Sequence, residues 1–469
     1  MTTTNTKRAL ACAAIALPML VFSTQGAQAA GFAVKEQSTS ALGNAFAGAV
    51  TGIDDLSHSF YNPAMMTYLS GNRAALSLSF IAPNAKFKDG TASTVFTTPI
   101  APTASFTGNE DIGRDALVPA VYGMWSATED LKVGLSLTVP FGLLTDNPDG
   151  WIGRYHALKS ELRTIDINPA VAYRVMPGLS VGAGLRAVYA EAELSNAVDA
   201  GTICAADTSP GGCNAIATGA GSPPQPTQQD VRAKLNGDDW GFGFNLGVMY
   251  EPIERLRLGA AYRSFVKLDV SAETTFDHSQ SGLTGVILQG GNVLIDTDAN
   301  AAVDLPDSVT FGASYDITDE FTVMAQVEWW NWSRFDELKV EFDNPNQPDN
   351  ITTEDWKDTW FFALGTTYRP KAVEGLALRL GVAFDESPIP DETRTPRIAG
   401  NDRTWIAAGV SYAPLPWLTL DLGYTHIFVK DADIDLVATP TNENTFRGNL
   451  SGTYEAKIDI IALQASARF

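Results

Sequence analysis

Long apolar runs and basic residues are both scarce in this sequence. The apolar run at residues 9–22 is shorter than the roughly 18 residues that a membrane-spanning helix needs, and no later stretch approaches that length. We therefore exclude a helical membrane protein. The chain has 32 Lys and Arg against 54 Asp and Glu, a formal net charge of −22. A nucleic-acid-binding protein needs a basic surface, so no nucleic acid is expected as a partner.

The excess of carboxylates has two explanations. It could provide contacts with divalent cations at a lipopolysaccharide surface, or it could simply form an acidic, solvated loop surface. The composition favours the second explanation.

The N-terminus is typical of an exported protein. Lys7 and Arg8 precede the apolar run, and Ala27-Gln28-Ala29 supplies small residues for cleavage, so residues 1–29 are predicted to be a signal peptide.

Cysteine is also scarce, with three residues in the chain. Cys12 lies in the predicted signal, which leaves Cys204 and Cys213 in an oxidising compartment, and we expect them to form a disulfide that closes a loop. The histidines do not have the spacing of metal ligands, so no metal site and no cofactor are predicted; they are His58, His156, His278 and His426.

Alternating apolar and small or polar residues are abundant. From Trp240 to Tyr250 every second residue is large and apolar, and the last segment alternates in the same way up to a terminal Phe469. Segments of about ten such residues are typical of strands that cross the outer membrane. The same pattern predicts fourteen strands, at 73–84, 115–126, 130–141, 160–175, 179–196, 230–250, 256–270, 304–316, 320–339, 353–369, 375–386, 402–413, 417–430 and 454–469.

The connections between these strands alternate between short and long. Residues 127–129, 176–178 and 414–416 are tight turns, whereas 142–159 and 197–229 are long and polar. Short periplasmic turns and long outer loops are typical of bacterial outer-membrane barrels. We therefore predict an all-β membrane protein, a 14-stranded antiparallel transmembrane β-barrel at residues 73–469.

Residues 30–72 fit neither a strand nor a loop. They are rich in small residues yet contain Phe32, Phe46, Phe60 and Tyr61, which makes them more apolar than a disordered tail. A fourteen-stranded barrel has a lumen too wide for side chains alone to fill. We predict that this segment is a small N-terminal hatch, or plug, in the lumen.

Several short motifs resemble the FadL-type outer-membrane transporters of long-chain fatty acids and hydrophobic compounds, which include aromatic hydrocarbon transporters. The motifs run through the mature chain in order: Ala30-Gly31-Phe32, Asn62-Pro63-Ala64, Leu235-Asn236-Gly237, Trp240-Gly241-Phe242-Gly243, Tyr262-Arg263-Ser264, Val266-Lys267, Asp385, Ser387-Pro388, Pro390, Asp402-Arg403 and Trp405. The resemblance implies passive transport without a cofactor: capture in an outer groove, passage to a pocket near the N-terminus, and sideways exit at a kink in the third strand.

The third predicted strand contains Pro140, Phe141 and Gly142. Proline cannot donate to a strand ladder, so Pro140 either opens the wall here or ends the strand at the outer rim. The resemblance favours the opening, because Gly142 aligns with the family's kink. Our hypothesis is that Asn62, Pro63 and Ala64 pack against this gap and that hatch movement controls it.

The resemblance also suggests ligand-binding residues. Phe32 would cap the inner pocket, and Lys357 would supply a basic side chain to it, although a rim lysine paired with Asp355 or Asp358 is equally consistent. Asn196 stands where fatty-acid transporters carry a second basic residue, which leaves aromatic or alkane hydrocarbons open as substrates. Apolar loop residues could form the outer groove or pack in the loops; they are Leu143, Leu144, Trp151, Ile152 and Leu283.

Patterns that look catalytic do not support an enzyme. The nucleophile-elbow pattern at residues 178–182 enters a strand and no helix follows it, as that motif would require. Two alternatives remain: an outer-membrane lipase, which needs a Ser/His/acid set at the outer face, and a general porin, which needs an open charged lumen. We expect a monomer in contact with outer-membrane lipid and lipopolysaccharide.

Overall fold

The computed structural model describes residues 31–96, 98–101 and 111–469. The predicted signal peptide lies outside the described residues. Most of the described chain is β-strand, with twenty strand segments, β1 to β20 in chain order: Arg73–Ser93, Ala116–Ser126, Leu131–Thr138, Gly142–Asp146, Lys159–Met176, Leu179–Asp199, Asp230–Ile253, Leu256–Arg263, Val266–Asp277, Thr297–Leu305, Ser308–Asp316, Phe321–Trp330, Glu337–Phe342, Asn350–Thr353, Thr359–Tyr368, Leu376–Asp385, Arg403–Leu415, Leu418–Val429, Ala432–Leu436 and Asn449–Arg468.

These segments form one closed antiparallel barrel. Six consecutive pairs each make a single interrupted strand, so the described residues form fourteen barrel strands; the pairs are β3/β4, β8/β9, β10/β11, β12/β13, β14/β15 and β18/β19. The last strand pairs with the first, from Arg73 opposite Arg468 to Ser93 opposite Asn449. The predicted 14-stranded barrel is confirmed.

The strand alternation separates a lipid face from a lumen face. On β7, Trp240 and Phe242 point outward with 48% and 73% of their surface exposed. On the same strand, Gly241, Asn245 and Gly247 are buried and face the lumen. An apolar outer face and a lumen-facing set of small and polar residues are what a membrane barrel requires.

Several strands are longer than their apolar pattern predicts. The first strand continues to Ser93 rather than to residue 84, and the seventh barrel strand reaches Asp277 rather than residue 270. In the extension to Asp277 buried and exposed residues still alternate, but the exposed residues, such as Glu273, are polar, so the apolar outward pattern ends before the backbone pairing does.

Among the described residues, helices are few and short. They are Thr39–Leu42, Ala200–Ala206, Cys213–Gly219 and Gly282–Gly290, with 3₁₀ turns at Leu56–Phe60, Pro63–Tyr68 and Trp332–Arg334. Within the described ranges, no helix has the length and apolarity needed to cross a membrane.

Residues 31–72 are mostly buried and pack against inward positions of the strands. Glycines in the wall allow this close approach: a Cβ at Gly409 would lie 2.9 Å from the Cα of Gly43, and one at Gly182 would lie 2.5 Å from the backbone nitrogen of Ala64. Asn44 donates from its amide to the carbonyls of Thr366 (2.7 Å) and Leu380 (3.2 Å). The segment therefore contacts strands on several sides of the barrel.

Candidate functional site

The wall is broken between the second and third barrel strands. β3 ends at Thr138, and β4 resumes the third strand at Gly142. The ladder between β2 and β3 stops at Val121 opposite Leu137, so residues 116–120 of β2 have a strand partner only in β1. Pro140 lies in this break, as the sequence pattern allowed.

N-terminal residues pair with the free edge of the break. Val34 donates its backbone N–H to the carbonyl of Pro140 (2.8 Å), and Gly142 donates to the carbonyl of Phe32 (2.9 Å). Gln37 completes the pairing, because its amide donates to the carbonyl of Val139 (2.7 Å) and its side-chain oxygen accepts from Val139 N–H (3.1 Å). Unpaired backbone is costly next to lipid, so these bonds stabilise a break that would otherwise be unfavourable.

Asn62, Pro63 and Ala64 lie elsewhere. Asn62 caps the turn Pro63–Tyr68 and donates to the carbonyls of Val50 (2.8 Å) and Val248 (3.0 Å). The motif contacts Gly182 and Gly247, which bring the wall close to it, and the contacts to the break come instead from residues 32–37. The hypothesis that this motif covers the break is therefore corrected.

Aromatic rings surround Phe32. Its ring centroid lies 4.9 Å from Trp332, 5.6 Å from Phe335, 5.6 Å from Trp356 and 6.0 Å from Phe141. Phe32 is 2% exposed. The first described residues therefore fill an aromatic cluster directly behind the break.

A small cavity of about 40 Å³ adjoins the break. Val34, Pro140 and Phe141 line one side of it, and Arg263 and Trp330 line another. This volume holds a water molecule or two, whereas ligand pockets usually measure roughly 300–1,000 Å³.

Two arginines share one aspartate beside this cavity. Asp166 of β5 accepts from Arg186 Nε at 2.7 Å and from Arg263 at 3.1 Å, and the aspartate is fully buried. Two positive charges against one negative charge leave this cluster with a net positive charge. Arg263 Nε and a terminal nitrogen of Arg186 are buried without a hydrogen-bond partner, so donors remain for an anion.

Lys35 is a second buried cation that lines the cavity, beside Arg263. It forms an ion pair with Glu328 and lies over the rings of Trp330 (5.1 Å) and Phe361 (4.3 Å). Glu328 neutralises the charge of Lys35. Because Glu328 lies on β12, this ion pair tethers the N-terminal segment to that strand.

The sequence pattern did not identify these cations. Arg263 belongs to a motif that supported the resemblance, but no role was inferred for it. In the sequence, Arg263 can be recognised only as a charged residue at an inward position of an alternating strand. The same is true of Asp166 and Arg186. Three such residues on three strands can be recognised as one cluster only when strand register is known.

Lys357 and Asn196 do not meet at this cavity. Lys357 is exposed, and its backbone N–H donates to the carbonyl of Pro388 (2.9 Å), so its prediction as a pocket residue is corrected. Asn196 is half-buried and lines a separate cavity with Arg397. Burial, together with the nearby charge of Arg447, lowers the pKa of Arg397 to about 10. Asn196 therefore does have a basic residue near it, Arg397, which belongs to a loop.

The residues predicted for the outer groove are mostly internal. Leu143 belongs to the aromatic cluster's core, Trp151 and Ile152 pack in a second core, and Leu144 is also buried, so the loop-packing alternative describes them. Leu283 is half-buried on the helix Gly282–Gly290. Cys204 and Cys213 are joined by a disulfide between two outer-loop helices.

The closed barrel with an apolar, lipid-facing exterior and an aromatic cluster behind a break in its wall defines a class: an outer-membrane transport barrel. The family model described as "Outer membrane protein transport protein (OMPP1/FadL/TodX)" matches residues 20–469, and the chain belongs to this family. It is therefore a bacterial outer-membrane transporter and not an enzyme.

Individual relatives agree with this assignment. The chain is 30% identical over 432 residues to the "Long-chain fatty acid transport protein" of Salmonella typhi, covering 90% of this chain and 92% of that protein. The crystal structure of a Pseudomonas aeruginosa FadL homologue matches with a TM-score of 0.84 and 24% identity over 94% of this chain and all of the other. The Ralstonia pickettii toluene transporter TbuX has a TM-score of 0.61 and 19% identity, with 91% and 99% coverage. These two structures support the fold.

Proposed function

We propose that this protein carries long-chain fatty acids, or similar hydrophobic molecules, passively across the outer membrane and releases them sideways at the break in the third barrel strand. In this proposal residues 30–72 are the hatch, residues 73–469 are the barrel, and residues 1–29 are removed as a signal peptide. The observation that carries it is a wall break whose free edge pairs with residues 32–37 of the N-terminal segment.

The cargo explains why a sideways exit is useful. Burying an acyl chain is favourable by about 0.8 kcal/mol per CH₂, so releasing a long chain into water would cost on the order of 10 kcal/mol. Release into the bilayer avoids this cost. This exit requires the hydrogen bonds between residues 32–37 and the break to be released while the cargo passes.

The buried charge cluster supports a carboxylate head group. Arg186 and Arg263 share Asp166, and Arg263, which has an unpaired Nε, lines the cavity. A carboxylate there would balance the second arginine and accept charge-assisted hydrogen bonds. This replaces the role that the sequence motif suggested for Lys357.

Transport requires the hatch to move. The cavity of about 40 Å³ is far too small for an acyl chain. Withdrawal of Phe32 and Val34 would both enlarge the cavity and free the edge of the break, so a single movement would couple binding to release.

A disulfide lock tests this movement. Ala33 and Phe141 face each other in an isolated antiparallel bridge, so a double variant with Ala33→Cys and Phe141→Cys is within disulfide reach. We expect oxidation to reduce uptake of labelled oleate by at least tenfold in a transporter-deficient strain, and a reductant to restore it.

The matched control is Ala313→Cys with Ala325→Cys, an opposed pair in the intact β11/β12 ladder. It undergoes the same redox treatment, including reduction of the native disulfide, and its uptake should not change. Equal uptake by the oxidised and reduced hatch lock would disprove hatch gating.

Aromatic or alkane hydrocarbons are the second candidate cargo. The aromatic cluster around Phe32 favours this possibility, because aromatic rings stack on aromatic walls. Competition between labelled oleate and toluene separates the two: preference for toluene, unchanged by Arg263→Met, would contradict the fatty-acid assignment.

A further inference from the structure

The wall contains a second break, between the eighth and ninth barrel strands. Pairing of β10 with β13 ends at Ala301 opposite Val340, and pairing of β11 with β12 begins at Ser308 opposite Trp330. Residues 302–307 on one strand therefore face residues 331–339 on the other without a regular ladder. The ninth strand has three extra residues here and leaves the wall in the turn Trp332–Arg334.

A neighbouring gap in the strand pairing is closed by direct contacts between the two strands, and it serves as a comparison for the second break. Between the sixth and seventh barrel strands, regular pairing is also absent over residues 239–244. There the two strands stay together, because Ser264 donates to the carbonyl of Phe244 (2.9 Å), Asp269 donates to Asp239 (2.7 Å), and Gly241 lies against Val266.

A small polar group, Asp307 with Arg334 and Asn331, joins the two strands at the end of the second break that is nearer to the membrane. We call this group the latch. Arg334 Nε donates to Asp307 Oδ1 at 2.7 Å, and Asn331 donates to the same oxygen at 3.0 Å. The guanidinium of Arg334 lies over the ring of Phe265, 4.3 Å away, and its side chain is one-third exposed. Asp307 is buried, with 10% of its side chain exposed, so water reaches this ion pair only from the side of Arg334.

The second break lies at the outer edge of the membrane. Trp329 and Trp360, opposite each other on β12 and β15, sit just below it, and interfacial aromatic residues mark the border of the apolar band. Ser333, Arg334 and Asp336 above them are exposed. An opening here would connect the lumen with the outer leaflet close to its head groups.

The inner side of the second break is apolar and leads to the hatch. Trp332 and Phe335, which leave the wall at this point, are buried and belong to the core that also contains Leu305 and Phe32. Phe32 contacts Phe141 at the first break and Trp332 and Phe335 at the second. The side chain of Phe32 therefore closes both breaks on the lumen side.

We infer that the second break is a second lateral passage for an apolar chain, closed by the Asp307–Arg334 latch outside and by Phe32 inside. The inference rests on the proposed hatch-gated transport, and it adds a route that bypasses the third-strand break. Withdrawal of the hatch would open both passages, and the latch would control only the second.

A disulfide across the latch tests this passage. Asp307 and Asn331 are joined by backbone (3.0 Å) and side-chain hydrogen bonds, so Asp307→Cys with Asn331→Cys should form a disulfide. We expect oxidation to lower labelled oleate uptake at least twofold and a reductant to reverse this, while Ala313→Cys with Ala325→Cys shows no change. Equal uptake by the oxidised and reduced latch variant, with normal uptake by the wild type, would overturn the second passage and leave the proposed function intact.

Labelling provides a readout that does not depend on uptake rates. Val303→Cys lies in the break and Val323→Cys lies in the intact β12 ladder, and both positions are half-buried. With a thiol-reactive palmitoyl maleimide, Arg334→Ala should accelerate labelling at position 303 at least fivefold and leave position 323 unchanged. Equal acceleration at both positions would show general loosening and would refute the latch. Failure of the wild type to transport oleate would instead refute the proposed function.

Discussion

The buried cations of this protein differ in how completely they are paired. Lys35 has Glu328 to itself, whereas Arg186 and Arg263 share Asp166. Removing one partner of a balanced buried pair leaves an uncompensated charge and is costly, but removing Arg263 leaves the balanced pair of Arg186 and Asp166. In the proposed function, the excess arginine binds the ligand's carboxylate.

Replacing Arg263 tests this explanation. We expect Arg263→Met to weaken oleate binding by about 10- to 100-fold, because a hydrogen bond to a charged group contributes about 1.5–3 kcal/mol. Binding to the purified protein, measured by calorimetry, gives the affinity directly. Toluene binding should not change, since toluene has no carboxylate.

Lys357→Ala serves as the control for loss of a positive charge, because that lysine is exposed. If Arg263→Met and Lys357→Ala had the same effect on oleate affinity, Arg263 would not be the carboxylate ligand.

At the scale of elements, the outer loops are tied to each other through buried side chains. His156, in the loop after β4, lies 3.1 Å from the carbonyl of Gly448 in the loop before β20 and is 6% exposed. Burial, together with the charges of Arg447 and Arg397, lowers the pKa of His156 from 6.5 to about 3. The ring is therefore neutral in the folded loops at neutral pH.

Acid should release these loops. The pKa of His156 is lower in the folded than in the unfolded state, so the unfolded loop binds a proton first as the pH falls. The stabilising effect is complete above pH 6.5 and is lost between pH 6.5 and about 3, by at most about 1.4 kcal/mol per pH unit. Hydrogen exchange of the loop amides should accelerate over this range, and His156→Gln should flatten the dependence. An unchanged slope in that variant would assign the effect to another group.

At the scale of the whole molecule, the wall and the lumen of the barrel meet different requirements. The wall must satisfy its backbone hydrogen bonds in lipid, and the lumen must remain closed to water-soluble molecules. Residues 31–72 pack against inward positions on many strands, and the cavity beside them is small. A general porin would need an open lumen instead.

Ion conductance distinguishes a barrel with a closed lumen from a general porin. In planar bilayers we expect the wild type to show little ion conductance, far below that of a general porin, because residues 31–72 pack against inward positions of the strands. Lys35→Met removes the tether to Glu328 and leaves that carboxylate unpaired, so brief openings should become more frequent. The Ala313→Cys and Ala325→Cys control should behave as the wild type. Steady, porin-like conductance by the wild type would contradict a closed hatch.

The sequence by itself determined the barrel. Residues on opposite faces of a strand alternate with a period of two, and lipid demands apolar side chains on one face, so the pattern marks each membrane-spanning segment. The alternation of turns such as 176–178 with loops such as 197–229 supplied the orientation. Pro140 indicated either an opening of the wall or the end of the third strand, because its ring removes a backbone donor wherever it lies, and the family resemblance favoured the opening.

Only the tertiary structure decided how the breaks are closed and which charges meet. Residues 32–37, rather than Asn62, cover Pro140, and Arg263 rather than Lys357 adjoins the cavity. The second break contains Pro306 on one strand, but which residues lie opposite it, and the three extra residues of the ninth strand, follow only from strand register. Such features depend on register and on contacts between residues far apart in the chain, and a local sequence pattern contains neither.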